Sequence, residues 1–333
     1  MQTINTNEIP ASVVGLGLMG CSITACLLMA GHPVIALAPI EADMQHAEGR
    51  IMHHLQKSFE EGLTNKKPAE FAKQLFITMD YAALRDCRLV IECTIENVEI
   101  KKNVYGKIEA VVSNDAIITS NTSAIPISIL QSYTKHQDRF LGLHWAEPSH
   151  TTRFLEIICG DKSDVKKGEF LYELSNKWGK EATLVRKDIR GFISNRLMYA
   201  MYREAINLVE NGYATVEDVD RSCRNNAGYF MTFVGIFRWM DLTGVAAYRT
   251  VMKNLLPTLH NSPDVPELIS KIVEEGGRGI ANSKGFYDYE PGEAEMWEKT
   301  FSEFNYEIRD IALRYPADIV KQKLKQQQQQ QNQ

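Results

Sequence analysis

Close cysteine pairs are missing from this sequence. Its six cysteines, Cys21, Cys26, Cys87, Cys93, Cys159 and Cys223, are scattered with no CxxC spacing, which excludes a zinc site of the usual ligand pattern. Most sit in apolar runs, as reduced and buried thiols do. A basic surplus is missing as well: 37 Lys and Arg stand against 42 Asp and Glu, for a net charge of −5. No general polyanion-binding surface follows from that balance, so nucleic acid is not an expected partner. Nor is there an unbroken apolar run. The longest, "ITACLLMAGHPVIALAPI", is interrupted by Gly31, His32 and Pro33 and is too broken to span a bilayer. The first ten residues, "MQTINTNEIP", carry neither the basic and apolar blocks of a signal peptide nor the arginines of a transit peptide. Cytoplasm is therefore the expected location, with no membrane partner.

What remains is the composition of an ordinary globular protein, 44% hydrophobic and 24% charged over 333 residues, long enough for two domains. In the first half, short apolar runs alternate with helical patterns. "SVVGLG" reads as a strand, residues 18–30 as a helix, "PVIALA" as a second strand and residues 41–62 as a long amphipathic helix. "CRLVIECT" (87–94), "AIITSN" (116–121) and "RFLGLHW" (139–145) are further strands, and "RFLEIICG" and "ATLVRK" extend the sheet. Strands separated by helices predict an α/β domain with a mostly parallel sheet.

After about residue 188 the pattern changes. Leu197, Met201, Ala205 and Leu208 mark one face of a helix beginning near Phe192, with Gly212 as its C-cap. Helical patterns recur near 215–226, 243–256, 265–275 and 291–315. The expected division is a nucleotide-binding domain over 1–188, an all-helical domain over 189–320, and a polar tail over 321–333. That tail, "KQKLKQQQQQQNQ", is expected to be disordered or a frayed helical extension.

"VVGLGLMG" sets Gly15, Gly17 and Gly20 in the G-x-G-x-x-G order between a strand and a helix. The first glycine permits the tight turn, the second lets a pyrophosphate approach the backbone, and the third allows helix to pack on strand. Dinucleotide binding is the reading. The acid that normally ends the second strand and holds the ribose 2′-hydroxyl is missing, however, since that position is Ala38. Glu41 or Asp43 could reach across instead. No arginine follows immediately to favour the 2′-phosphate of NADP, so NAD is the expected cofactor.

One stretch raises a question of its own. "GLHWAEPSHTTRFLEI" (142–157) places Glu156 among Phe154, Leu155, Ile157 and Ile158, in what reads as a buried strand. A buried carboxylate is costly unless something holds its charge, and His144 is one candidate. Taken singly, each feature has a plain structural explanation. A histidine after a strand is commonly structural, a Glu in an apolar strand commonly lies at an edge, and "NTS" suits a turn or helix cap.

Taken in order, the glycine loop, "IECTIENVEIKKNV" (91–104), "SNTSAIPI" (120–127), the His144 stretch, "GFISNRL" (191–197) and "SKGFYDY" (283–289) resemble the L-3-hydroxyacyl-CoA dehydrogenase family. The resemblance covers roughly residues 12–315. It implies a Rossmann-type N-terminal domain, a helical C-terminal domain that usually dimerises, and NAD as cofactor. By position His144 matches the family's catalytic histidine and Glu156 its carboxylate partner. Ser123 and Asn195 match residues that contact the substrate oxygen, while Glu96, Lys101 and Ser123 match cofactor-contacting positions. The chemistry suits such a set. A secondary alcohol loses hydride and proton together, an imidazole can take the proton near neutral pH, and a carboxylate can steady its cation.

There are departures. Where the family commonly has two phenylalanines and Asn-Pro after the histidine, this chain has Trp145, Ala146, Glu147 and Pro148, which brings a carboxylate to the nicotinamide neighbourhood. Ala281 stands where a cofactor-directed lysine often precedes the GFY motif. "GIFRWMDLTG" adds Arg238 beside two aromatics, a candidate for a substrate carboxylate or CoA phosphate, with an aromatic-packed surface arginine as the plainer reading. Lys57 is a weaker candidate for a CoA phosphate, and His150 and Arg153 read as solvated turn residues. The leading expectation is an NAD-dependent dehydrogenase of short L-3-hydroxyacyl-CoA thioesters. The alternatives are a dehydrogenase of a free 3-hydroxy acid or carnitine-like alcohol, and a non-catalytic nucleotide-binding relative. A fourth comparison, with the 6-phosphogluconate and 3-hydroxyisobutyrate dehydrogenases, lacks their serine–glycine-rich substrate loop.

Overall fold

The structure, a computed structural model, describes residues 4–331. The first three residues of the N-terminal stretch and the last two of the tail lie outside it. The chain divides into two units, residues 1–196 and 197–333.

In the first unit, β1 (Ala11–Val14) runs through the glycine loop into α1 (Leu18–Met29), followed by β2 (Val34–Leu37), α2 (Glu41–Glu60) and β3 (Leu75–Thr78). The chain then returns to the other side of β1 with β4 (Leu89–Glu92), α3 (Val98–Glu109), β5 (Ile117–Ser120), α4 (Ile127–Gln131) and β6 (Phe140–Trp145). β7 (Leu155–Cys159), α5 (Val165–Ser175) and β8 (Thr183–Val185) complete it. The eight strands lie in the order β3-β2-β1-β4-β5-β6-β7-β8. Every pairing is parallel except β6 with β7. The mostly parallel sheet read from the sequence is therefore present.

Burial explains the element choice. β1, β4, β5, β6 and β7 are buried at every position, so they need the continuous apolar runs of strands covered on both faces. One core holds Ile23, Leu27, Ile51, Leu55 and Trp178; the other holds Val104, Ile108, Ile118, Phe140 and Phe192. Because strand order reverses direction between β1 and β4, the carboxyl ends of these two strands open a crevice where α/β sheets bind ligands.

The second unit is helical: α6 (Ser194–Glu210, begun in the first unit), α7 (Val216–Asn225), α8 (Ala227–Met231), α9 (Gly235–Thr243), α10 (Val245–Leu255), α11 (Glu267–Glu274), α12 (Glu293–Arg314) and α13 (Ile319–Gln331). The helix anticipated near Phe192 starts at Ser194, since Phe192 has a positive φ of 52° that a helix cannot accommodate. Of the tail, anticipated as disordered or a frayed helical extension, the described residues to Gln331 belong to the exposed helix α13, whose Lys, Leu and Gln are good helix formers. The first compact unit runs through Arg196, because Phe192 packs into its core and the Ile193 and Ser194 amides donate to Glu156. The face carrying Leu197 and Met201 is exposed, and no helix from α6 to α13 has a buried residue. A groove of about 600 Å³ in this unit is lined by Tyr202, Ile206, Val209, Val219, Ile272 and Tyr287, among others. Among the described residues no helix is long and apolar enough to cross a membrane.

Candidate active site

β6 and β7 are antiparallel neighbours, and their register sets His144 directly opposite Glu156. His144 Nδ1 lies 2.9 Å from Glu156 Oε2. The other carboxylate oxygen accepts from the backbone amides of Ile193, at 3.0 Å, and Ser194, at 2.9 Å. These amides stand at the N-terminus of α6, where unpaired N–H groups favour an anion. Three donors thus explain a carboxylate only 1% exposed in an apolar strand. An ionised carboxylate only accepts, so against it Nδ1 carries the proton and Nε2 is the accepting nitrogen of the ring. The ring is 8% exposed and stands between Phe154 and Phe192, with centroids at 5.5 and 5.6 Å. One backbone further, Asn121 Oδ1 accepts from the Trp145 amide at 2.9 Å, tying the end of β6 to the end of β5.

The glycine loop fits a dinucleotide. Gly15 has φ +101° and a Cβ there would lie 2.8 Å from the Cys93 carbonyl oxygen; a Cβ on Gly20 would lie 1.8 Å from Gly15 O. Any side chain at either position would push the loop off the sheet. At Gly17 a Cβ would meet nothing within 4 Å, so the backbone there faces open space, and no side chain caps α1. An uncapped helix N-terminus behind an open glycine loop has the donors a pyrophosphate needs.

At the end of β4 a polar cluster holds the next part of the site. Glu92 is fully buried, with Lys101 Nζ at 2.8 and 3.0 Å, Tyr105 OH at 2.9 Å, Ser120 Oγ at 2.7 Å, and the Thr94 amide and hydroxyl both at 2.6 Å. Lys101 also lies 3.5 Å from Glu96. Glu96 Oε1 accepts from the Thr122 hydroxyl at 2.5 Å and the Ser123 and Ala124 amides at 3.1 and 3.3 Å. Burial alone would raise the Glu96 pKa, but Thr122, Lys101 and these amides outweigh it and hold the carboxyl below its usual range. Ser123 is exposed, and its carbonyl accepts from Asn195 Nδ2 at 2.8 Å. The structure therefore gathers Ser123, Asn195 and Glu96 at one edge. Lys101, a cofactor-contacting position by resemblance, is 1% exposed. Its ammonium is occupied by Glu92, Glu96 and the Thr94 carbonyl, so Glu96, not the ammonium, faces outward.

The loop after β6 is anchored by residues the sequence did not single out. Lys180 Nζ donates to the carbonyls of Ser149 and Thr152, and Ser22 Oγ accepts from the Ser149 amide at 2.8 Å. His150, read as a solvated turn residue, is buried instead. Its Nδ1 lies 3.3 Å from Ser22 Oγ and its ring packs 4.8 Å from His54. Glu147 is half-buried; burial pushes its carboxyl up, with the Ser22 hydroxyl, the Ser149 amide and the Lys180 charge opposing. Arg153 pairs with Glu181 at 3.2 Å. Lys57 is exposed beside Glu60, Arg238 is exposed on α9, and Ala281 lies in a short turn.

A buried histidine, His32, and a half-buried one, His54, make stability depend on pH. Burial, with the like charge of His53, pushes His54 down to about 4. Burial also lowers His32, against the Ile9 carbonyl. Each takes up a proton on unfolding once the pH is below the ordinary value of ~6.5. The unfolded state then binds more protons, so stability rises with pH. It is undiminished above pH ~6.5 and falls as the pH drops toward the folded values. His54→Gln is expected to flatten the slope of melting temperature against pH in that window; an unchanged slope would mean that native His54 is already protonated.

Comparison with known proteins covers both units. The NAD binding domain of 3-hydroxyacyl-CoA dehydrogenase matches residues 10–189, and the C-terminal domain of the same family matches residues 191–289. A 5-formyl-3-hydroxy-2-methylpyridine 4-carboxylate 5-dehydrogenase of Mesorhizobium japonicum is 31% identical over 281 residues, 84% of this chain and 90% of its own. A crystal structure of an enzyme of that name, described as an NAD+ dependent dismutase, superposes with TM-score 0.84 at 28% identity over 91% of this chain and 97% of the other. A (S)-3-hydroxybutyryl-CoA dehydrogenase from Ralstonia eutropha gives TM-score 0.70 at 26% identity over 84% and 99%. The chain belongs to the 3-hydroxyacyl-CoA dehydrogenase family of NAD-dependent oxidoreductases.

Proposed function

We propose that the protein interconverts an L-3-hydroxyacyl-CoA and its 3-oxoacyl-CoA, with His144 as general base and Glu156 as the group that orients it. Bound NAD supplies the hydride acceptor or donor. The chain's own residues handle the proton and the geometry. Glu156 keeps the Nδ1 proton in place and leaves Nε2 to take the hydroxyl proton. The imidazolium then formed is steadied by the carboxylate 2.9 Å away in a pocket walled by two phenylalanines. In the reductive direction the same Nε2–H returns the proton. Ser123 and Asn195 hold the substrate oxygen, the Asn195–Ser123 bond fixing their spacing. Gly15, Gly17 and Gly20 shape the pyrophosphate cradle, Glu96 contacts the cofactor, and Lys101 positions Glu96. Glu147 brings its carboxyl to the nicotinamide side, where burial raises it above the usual carboxylate range against the opposing Ser22, Ser149 and Lys180.

The pairing of His144 with Glu156 carries this reading. A second reading, a free carboxylate-bearing substrate without CoA, is supported by the higher TM-score to the pyridine-carboxylate dehydrogenase, 0.84 against 0.70. Spectrophotometric turnover of NADH with acetoacetyl-CoA, acetoacetate and the 5-formylpyridine carboxylate separates them. Activity on the thioester alone supports the first reading, activity only on the free acids replaces it with the second, and none on any 3-oxo or formyl compound overturns both.

We also propose a homodimer formed through the helical unit. Amphipathic helices with no fully buried residue, and with Tyr199, Phe237 and Trp297 exposed, call for a covering surface, and a second copy is the commonest one. Light scattering giving the mass of one chain would refute it. Among the described residues no cysteine forms a disulfide, which supports a reducing compartment, the cytoplasm.

A further inference from the structure

The second strand ends without a carboxylate. β2 stops at Leu37, and Ala38, the position that would carry the ribose-binding acid, is fully buried with its amide bonded to the Thr78 carbonyl at 2.9 Å. The first turn of α2 brings two acids to the same end of the sheet, Glu41 and Asp43. Glu41 is exposed and makes no side-chain hydrogen bond among the described residues. Asp43 turns back: its Oδ2 accepts from the amide of Leu16 at 3.3 Å, and Leu16 lies between Gly15 and Gly17. A carboxylate thus closes the seam between the glycine loop and the end of β2, with Oδ1 left to accept another hydrogen bond.

We infer that Asp43 is this chain's acceptor for the adenosine ribose hydroxyls and the residue that selects NAD over NADP. This role lies within the NAD-binding domain and is independent of the substrate proposed above. A ribose 2′-hydroxyl is a donor that a carboxylate satisfies, whereas a 2′-phosphate brings negative charge against it. The opposing charge is at hand: Arg50, on the same helix, donates from Nη1 to the Leu16 carbonyl at 3.3 Å. The two side chains grip opposite ends of one residue in the cofactor loop. With Asp43 charged, the balance favours a hydroxyl; with that charge removed, Arg50 is the charged side chain still bonded to Leu16 and favours a phosphate.

The test is equilibrium binding of NADH and NADPH, followed by nucleotide fluorescence with no substrate present. Asp43→Asn retains an oxygen for the Leu16 amide, so the loop anchor survives while the charge goes. It is expected to weaken NADH about tenfold, the order of one charged hydrogen bond, and to leave NADPH unchanged or tighter. Asp43→Ala is expected to shift the ratio of the two affinities the same way. Glu41→Gln, which removes the same charge from the same helical turn, is expected to leave the ratio where it is. A wild-type ratio in both Asp43 variants, or an equal shift in Glu41→Gln, overturns the inference.

Discussion

Replacing His144 with alanine is expected to lower turnover by ~10²–10⁴-fold, the usual contribution of a positioned general base, with NADH affinity left as it was. On the mechanism proposed above, the side chain contributes a proton acceptor at Nε2 and little to nucleotide binding, so the loss belongs in kcat. Glu156→Gln is expected to lower kcat as well, by a different route. An amide oxygen can still accept from Nδ1, but the imidazolium loses its counter-charge, and the amide NH2 faces the Ile193 and Ser194 amides that the second oxygen now accepts from. Because Glu156 acts through His144, the two losses are not additive. The double variant should be no slower than His144→Ala alone. Unchanged turnover in His144→Ala would falsify the assignment of the base, and a double variant slower by the product of both losses would give Glu156 an independent role.

That pairing was legible in the sequence for a physical reason. A carboxylate between Leu155 and Ile157 in a strand buried on both faces demands a partner, and the antiparallel turn back from His144 offers one. The glycine loop was legible because its spacing encodes a backbone shape. Glu92, in "VIECT", carries the same signal as Glu156, yet its partners Lys101, Tyr105 and Ser120 lie nine to 28 residues away, and only the packed sheet brings them together. The anchoring of the 146–152 loop by Lys180 and Ser22 is likewise a product of tertiary structure; nothing near 180 in the sequence points to it. β3 escaped notice since it is short and only half-buried at the sheet edge. The start of α6 was misjudged by two residues because apolar periodicity runs on through Phe192, while the chain there turns so that Ile193 and Ser194 can donate to Glu156. Periodicity placed Leu197, Met201, Ala205 and Leu208 on one face of α6. It could not tell that Leu197 and Met201 are exposed while Ala205 and Leu208 are half-buried, since the pattern of a buried face is the same whatever covers it.

The largest stability effect is expected at Lys101. Its ammonium is enclosed with Glu92, which is itself fully buried, and the two lie 2.8 Å apart. Replacing the pair with apolar groups would cost little, but removing one partner strands the other. Lys101→Met keeps most of the stem's packing and deletes only the charge, so Glu92 is left as an uncompensated buried anion. Such breaks cost roughly 3–5 kcal/mol. Tyr105, Ser120 and Thr94 still donate to the carboxylate, so the lower end of that range is expected by denaturant titration at neutral pH. Adding Glu92→Gln to Lys101→Met should recover part of the stability, which no loss of packing alone would do. The same variants separate two roles for Lys101. If the lysine touched the cofactor directly, Lys101→Met would weaken NADH and spare the denaturation midpoint. The buried geometry expects the midpoint to fall first, with NADH affinity following only as far as Glu96, deprived of its cation at 3.5 Å, loosens its hold on the Ser123 and Ala124 amides. A loss below about 1 kcal/mol, the range of an exposed ion pair, would mean that water reaches Glu92 and that the cluster is not closed.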